Sequence, residues 1–353
     1  MIEIPATKGG HLPARTQLGR EGIPPGRWGL VPAVRQIVSV PILPITILIY
    51  GILALTTPGF LSWTNVENLL VSMSVLAIAA IGTTVVFLIA GIDLSVGSTI
   101  ALASIMGAVV TRDTGMIFLG LATAVLTGAA IGLFNGICVG ILQLSPFVLT
   151  LGALLVARAV GYMVASAAAG GGATGAASVG PLPPSVLNFG RSTIAGIPTL
   201  WWIALIFVAG SALVLSRTDT GRGWYLLGSS ARAALFSGLR TRWLKCLAYL
   251  VAGTLAGLAG FILMVTLGSG DATAGDNLLL QVIAATVVGG TSLFGGLGGA
   301  WRTFGGVFLI VGLTNALNFH GLASWYQEIV VGAVIVLGTA LAVFVQAAQA
   351  RSK

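Results

Sequence analysis

Leu88-Ile89-Ala90-Gly91-Ile92-Asp93-Leu94-Ser95-Val96-Gly97-Ser98 sets one carboxylate and two hydroxyls between two apolar segments, each long enough to cross a bilayer. An Asp beside hydrocarbon costs about 2.5 kcal/mol or more unless it is solvated, paired or hydrogen-bonded, so Asp93 marks a functional or a tightly packed polar site. Gly91 and Gly97 let backbones approach closely and let the chain turn.

The surrounding composition names the solvent. Of 353 residues, 56% are hydrophobic and 7% charged, against roughly 25% charged in an ordinary soluble domain. Too little polar surface remains to cover a water-facing globule, and the chain reads as an all-α polytopic membrane protein. The 50 glycines suit helices that pack through small residues, because lipid gives no hydrophobic drive for helix association. A membrane barrel would alternate polar and apolar residues over segments of about ten, whereas these runs are continuously apolar over roughly 17 to 25.

About ten transmembrane helices are expected, near 37–55, 69–90, 94–111, 116–142, 146–168, 199–216, 246–267, 279–293, 302–319 and 327–346. Two places break the pattern, giving broken or re-entrant segments: Gly91–Gly97, and the run Gly289-Gly290-Thr291-Ser292-Leu293-Phe294-Gly295-Gly296-Leu297-Gly298-Gly299. Such backbone is tolerated at membrane depth only against protein or a water-filled path. Residues 1–36, with five basic residues, many Pro and Gly and no apolar signal-peptide core, are expected to be a disordered basic cytoplasmic tail. Residues 37–346 form the membrane domain and 347–353 a second cytoplasmic tail. Basic loops fix this orientation: Arg217, Arg222, Arg232, Arg240, Arg242 and Lys245 fall in one inside connection and Arg302 in another, while the outside connections hold Arg112 and Arg191. The long outside connection near 168–198 is too rich in Gly and Pro for a helix, and reads either as a flexible linker or as a surface for an external partner.

The net charge of +8 is scattered over short connections without a basic stripe, which argues against nucleic acid. Cys138 and Cys246 show no metal or redox spacing, and His11 and His320 are the only histidines, so neither a metal cluster nor a His-based triad can be assembled. Phosphate-loop spacing is also missing, which excludes nucleotide binding of that kind. The cytoplasmic segment 217–245 contains Ser229-Ser230-Ala231-Arg232-Ala233-Ala234-Leu235-Phe236-Ser237-Gly238-Leu239, a short helical pattern with a serine to cap it and Gly238 to end it. Ala231, Ala234, Leu235 and Gly238 share one small face, suited either to a groove on a soluble partner or to the headgroup surface.

Read in order, these segments resemble the membrane permeases of bacterial ATP-binding-cassette importers for monosaccharides, of the ribose, xylose, arabinose and galactose type. The resemblance runs from Asn65 to about Val343 through the Gly91–Ser98 motif, Gly132-Leu133-Phe134-Asn135-Gly136, Pro146-Phe147-Val148-Leu149-Thr150-Leu151-Gly152, Ala157-Arg158, Ala233-Ala234 with Ser237-Gly238, and Gly289–Gly296. It implies a non-catalytic inner-membrane subunit that pairs with a second copy or paralogue. It also implies a cytoplasmic ATPase that uses ATP and Mg, and an extracytoplasmic sugar-binding protein; this chain itself would bind no cofactor or metal. Ser229, Ser230, Arg232, Ala233, Ala234, Ser237 and Gly238 would then form the ATPase-coupling helix. Where many relatives carry Glu-Leu-Asp before the Ile-Ala-Ala of the eighth span, this chain has Leu279-Leu280-Gln281.

Asp93, Ser95, Asn135, Arg158, Asn315 and Asn318 are the polar candidates for the translocation path or for the packing around it. Asparagines in spans either line a path or join helices. Arg158 needs a carboxylate or carbonyl partner, and Asp93 reads as a cap in the break or as a solute ligand. The rival functions are an ion-coupled carrier using Asp93 and a membrane receptor or scaffold that moves nothing.

Overall fold

The computed structural model describes residues 42–170 and 177–351. The expected tail at 1–36 lies outside the described residues. In chain order the helices are α1 (Ile42–Thr56), α2 (Trp63–Leu88), α3 (Val96–Thr114), α4 (Ile117–Gly136, continued by a π turn at Ile137–Ile141), α5 (Pro146–Ala168), α6 (Pro184–Gly190), α7 (Thr199–Arg217), α8 (Asp219–Ser229), α9 (Ala231–Phe236), α10 (Thr241–Leu267), α11 (Gly275–Val288), α12 (Ala300–Phe319) and α13 (Ser324–Arg351). Four two-residue strands, β1 (Ser178–Val179), β2 (Thr193–Ile194), β3 (Ile197–Pro198) and β4 (Gly270–Asp271), make two antiparallel pairs, β1 with β4 and β2 with β3. A helix meets each of the ten expected spans. Six of them, α2, α4 with its π turn, α5, α7, α10 and α12, are long and apolar enough to cross a membrane, whereas α1, α11 and α13 offer shorter apolar stretches. The protein is therefore a multi-pass helical membrane protein.

Helix ends follow local chemistry. Ser62 Oγ accepts the Asn65 backbone N–H at 3.4 Å, which starts α2 six residues before the apolar run that betrayed it. Gly115 and Gly268, both left-handed, close α3 and α10. The eighth expected span moves upstream: α11 begins at Gly275 and stops before Gly289, so the Gly-rich run that sequence assigned partly to the helix is all connection. At the chain's end α13 runs through Arg351, into the stretch expected to be a tail.

Helix α2 is the buried centre, packed by α10, α12, α7 and α11. Helices α4, α5 and α7 leave most of their surface uncovered by the rest of the chain. The tightest seam joins α4 to α10. Gly128, Gly132, Gly136 and Gly140 recur every fourth residue and so share a face. A Cβ on Gly136 would lie 2.5 Å from the Cys246 carbonyl oxygen, and one on Gly140 2.6 Å from that of Arg242. The reciprocal positions are as tight, since a Cβ on Gly253 would come within 2.6 Å of Gly132 Cα. Small residues here bring two backbones into contact, which is how helices gain attraction without a hydrophobic drive.

The long connection after α5 is built rather than loose from Ala177 onward. Val179, Leu182 and Val186 are buried, β1 pairs with β4 in the register Ser178 to Asp271, and α6 packs on α10 through Gly190, whose Cβ would strike the Val265 carbonyl. A helix in this stretch was not expected. Pro184 starts it, because a proline at the first position loses no needed N–H.

Candidate functional site

The break between α2 and α3 is closed by its own polar residues. Asp93 Oδ1 accepts the Ser95 backbone N–H at 2.9 Å and the Ser95 hydroxyl at 2.6 Å, and Asn135 Nδ2 on α4 donates to Ser95 Oγ at 2.9 Å. From α10, the Tyr249 hydroxyl donates to the Ile92 carbonyl at 3.0 Å. Asp93, Ser95 and Asn135 are all buried. An aspartate bonding the backbone two residues on makes an Asx turn, and here that turn starts α3 and ties the break to α4 and α10. Asn135 Oδ1 is buried without a partner among the described residues.

Removing the Asp93 acceptor leaves two buried donors on Ser95 unpaired, at about 1–3 kcal/mol each. Asp93→Leu is therefore expected to be recovered poorly from membranes, whereas Asp93→Asn keeps an acceptor oxygen and should insert but transport less. Membrane yield and uptake in reconstituted vesicles measure the two effects. Wild-type uptake by Asp93→Leu would show that the turn stands without its carboxylate.

Arg158 lies apart from this group. Its Nη2 meets Asp276 Oδ2 at 2.5 Å. Asp276 occupies the first turn of α11, where the helix dipole favours a negative charge. The pair borders a cleft of about 260 Å³ with Ser98, Leu154, Gly275 and Leu279. Beside it α3 and α11 cross glycine to glycine: a Cβ on Gly97 would strike the Gly275 carbonyl, and one on Gly275 the Gly97 carbonyl.

The remaining two candidates join helices at the other end of α2. Asn315 and Asn65 exchange amide hydrogen bonds of 2.9 and 3.2 Å, and Asn65 also donates to the Phe60 carbonyl at 2.8 Å. Asn318 Oδ1 accepts from Gln327 Nε2 at 2.6 Å, linking α12 to α13.

In the segment 217–245, Ser230 caps α9 by accepting the Ala233 N–H at 3.2 Å, and Gly238, with φ +78°, ends the turn. Ser229 belongs instead to the last turn of α8 and donates its hydroxyl to the Tyr225 carbonyl at 2.9 Å. The small face read from sequence does not form one surface: Ala234 is wholly buried in its own chain, while Ala231, Arg232, Ala233, Leu235, Ser237 and Gly238 are exposed. The most outward apolar side chain is Phe236, 88% exposed, with Leu235 beside it.

This segment is seated on both breaks. Gly296 N–H donates to the Leu88 carbonyl at 3.0 Å, and Gly228 fills the space between: a Cβ there would strike the Leu88 oxygen and lie 2.5 Å from Gly296 N. Tyr225 donates to the Gly298 carbonyl at 3.0 Å. Burial pushes the Tyr225 phenol above its ordinary range, with the Arg302 charge pulling the other way, so it stays protonated and a donor at neutral pH. Asp276, Asn65, Tyr249, Gly228 and Tyr225 were all missed in the sequence. Asp276 alone carried a local signal, an acid in the first turn of a helix.

The chain matches the family described as branched-chain amino acid transport system / permease component over residues 65–339. It is 36% identical over 291 residues to the ribose import permease protein RbsC of Haemophilus influenzae, covering 82% of this chain and 88% of that one. It is 35% identical over 307 residues to the ribose import permease protein RbsC of Bacillus subtilis, covering 85% and 91%. The D-allose transport system permease protein AlsC of Escherichia coli is 31% identical over 305 residues, covering 85% and 89%. No solved structure matches the chain. These relatives support an import subunit and neither an ion-coupled carrier nor a non-transporting scaffold. The chain belongs to this permease-component family, and is a non-catalytic membrane subunit of an ATP-binding-cassette importer.

Proposed function

We propose that this chain crosses the bacterial inner membrane ten times, with both termini in the cytoplasm. Paired with a second copy or a paralogue, it forms the path for a monosaccharide or a related polyol or nucleoside-like solute. An extracytoplasmic binding protein delivers the solute, and a separate cytoplasmic ATPase, using ATP and Mg, drives the cycle. The observation that carries this reading is the mounting of the 217–245 segment. Its exposed Leu235–Phe236 tip is offered outward, while Gly228 and Tyr225 seat its base on Leu88, Gly296 and Gly298. A push on the tip is thereby delivered to the connections that begin α3 and α12. That is the linkage alternating access requires, since a motion at one site must bias two states of another.

The Asp93, Ser95 and Asn135 cluster serves in this reading as the stiff joint of the path. Asn315 and Asn318 hold its far end together. The purified chain alone is expected neither to hydrolyse ATP nor to bind it at micromolar concentration, because it has no phosphate-cradling loop. Uptake in vesicles should require the ATPase and stop with vanadate. Turnover by the isolated chain, or uptake persisting without nucleotide, would overturn the assignment.

A further inference from the structure

Arg158 sits about 18 Å along α5 at 1.5 Å per residue, close to halfway through a helix long and apolar enough to span the membrane. Its side chain and that of Asp276 are each 42% exposed in the single chain. An ion pair half-open at that depth does not face lipid, where charge is expensive; such groups face a bundle interior or a water-filled cavity. The cleft beside the pair is far larger than the roughly 10–15 Å³ that one water needs, at about 260 Å³. Its rim combines the two charges with the apolar Leu154 and Leu279.

Building on the importer reading above, we propose that Arg158 and Asp276 form a solute-contacting station on the permeation path, specific for uncharged polyhydroxylated solutes. A guanidinium has five N–H donors, and one is directed at Asp276. The others find no protein acceptor among the described residues, and the second carboxylate oxygen of Asp276 receives no side-chain donor. One free donor and one free acceptor side by side match a vicinal diol, in which one hydroxyl accepts from Arg158 and its neighbour donates to Asp276. Contact between the two opposite charges leaves the station near neutral, so it gives an anionic or cationic solute no net attraction. Leu154 and Leu279 suit the C–H face of a sugar ring. The station is also linked to the cytoplasmic machinery. Its floor is the Gly97–Gly275 crossing, and α11 runs from there, about 21 Å at 1.5 Å per residue, to the glycine connection on which Gly228 is seated. Movement of that connection shifts Asp276 relative to Arg158 and widens or closes the cleft.

The test uses the complete transporter, with ATPase and binding protein, in vesicles, and D-ribose, D-allose and the anion D-ribonate as probes. The double variant Arg158→Leu with Asp276→Leu removes both charges together, which is often neutral for folding. It should assemble and hydrolyse ATP but take up the neutral sugars at least about tenfold more slowly, the loss of one charge-assisted hydrogen bond. Asp276→Asn should leave Arg158 uncompensated, slow neutral uptake and make it inhibitable by D-ribonate. Leu154→Cys reports independently of transport: it should react with a membrane-impermeant, water-soluble thiol reagent, and a neutral sugar should slow that reaction. Wild-type uptake by the double variant, or a Leu154→Cys thiol inert to the aqueous reagent in every nucleotide state, overturns the station and leaves the importer reading intact. Absence of nucleotide-dependent uptake of either sugar by the wild-type complex removes that sugar reading and the station with it.

Discussion

Gly253→Val is expected to deprive the membrane of correctly packed protein. The first added carbon would already collide with the Gly128 carbonyl and sit 2.6 and 2.7 Å from Gly132 Cα and N, all backbone atoms that no rotamer change can move aside. Helices α4 and α10 must then separate, and the loss spreads along the seam from Gly128 to Gly140 instead of staying at one site. Overpacking costs typically about 1–3 kcal/mol, occasionally more, and a seam made of backbone has no side chain to give way. Gly210→Val in α7, where an added Cβ meets nothing within 4 Å, is the matched control. Size-exclusion profiles and thermal unfolding in detergent should show aggregation or a much lower midpoint for the first and wild-type behaviour for the second. A Gly253→Val protein with the wild-type midpoint would mean that the seam is looser than its backbone contacts show.

Phe236→Asp should detach the ATPase while leaving the membrane part whole. With 88% of its surface exposed at the tip of α9, Phe236 contributes almost nothing to this chain's own packing. An apolar anchor at the centre of an interface is typically worth about 2 kcal/mol or more, so a buried carboxylate in its place is expected to reduce co-purified ATPase by at least tenfold. Ala234→Trp, on the small face that the sequence offers to a partner's groove, acts on something else. Ala234 is fully buried within this chain, and the indole would unseat α9 from its own mount, lowering stability as well as assembly. Retention of the ATPase by Phe236→Asp would move the coupling surface to the neighbouring exposed pair Phe294 and Leu297.

The helical membrane architecture was legible because unbroken apolar runs and positive loops are local signals. Helix starts were less so. The beginning of α2 depends on a Ser62 to Asn65 cap written in polar residues ahead of the apolar run, and the beginning of α11 hides among Thr273-Ala274-Gly275, which read equally as loop. At the candidate site, Asp93 announced itself through the cost of a carboxylate beside hydrocarbon, and its partner Ser95 lies two residues away. The partners of Arg158 and Asn315 do not. Asp276 is 118 residues from Arg158, and Asn65 is 250 from Asn315; no periodicity links such pairs before the helices are assembled. Tyr249 looked like one more apolar residue in α10, although its hydroxyl fastens the break at Ile92. For α9 the cap and stop were visible, but its outward side was not, since a six-residue helix is too short for periodicity to decide which face its own chain covers.

The α4–α10 seam also sets an order of events at the ribosome. Its two faces, Gly128–Gly140 and Arg242–Gly257, are separated by α5, by α7 and by the whole segment between them. At about 5–20 residues per second, a gap of on the order of a hundred residues leaves α4 in the bilayer for roughly 5–20 s before its partner exists. Throughout that interval the glycine face of α4 is open to any other helix with small residues. Insertion of α4 as an independently stable lipid-facing rod, which its long apolar run permits, is what lets the nascent chain wait for α10 without committing to a wrong neighbour.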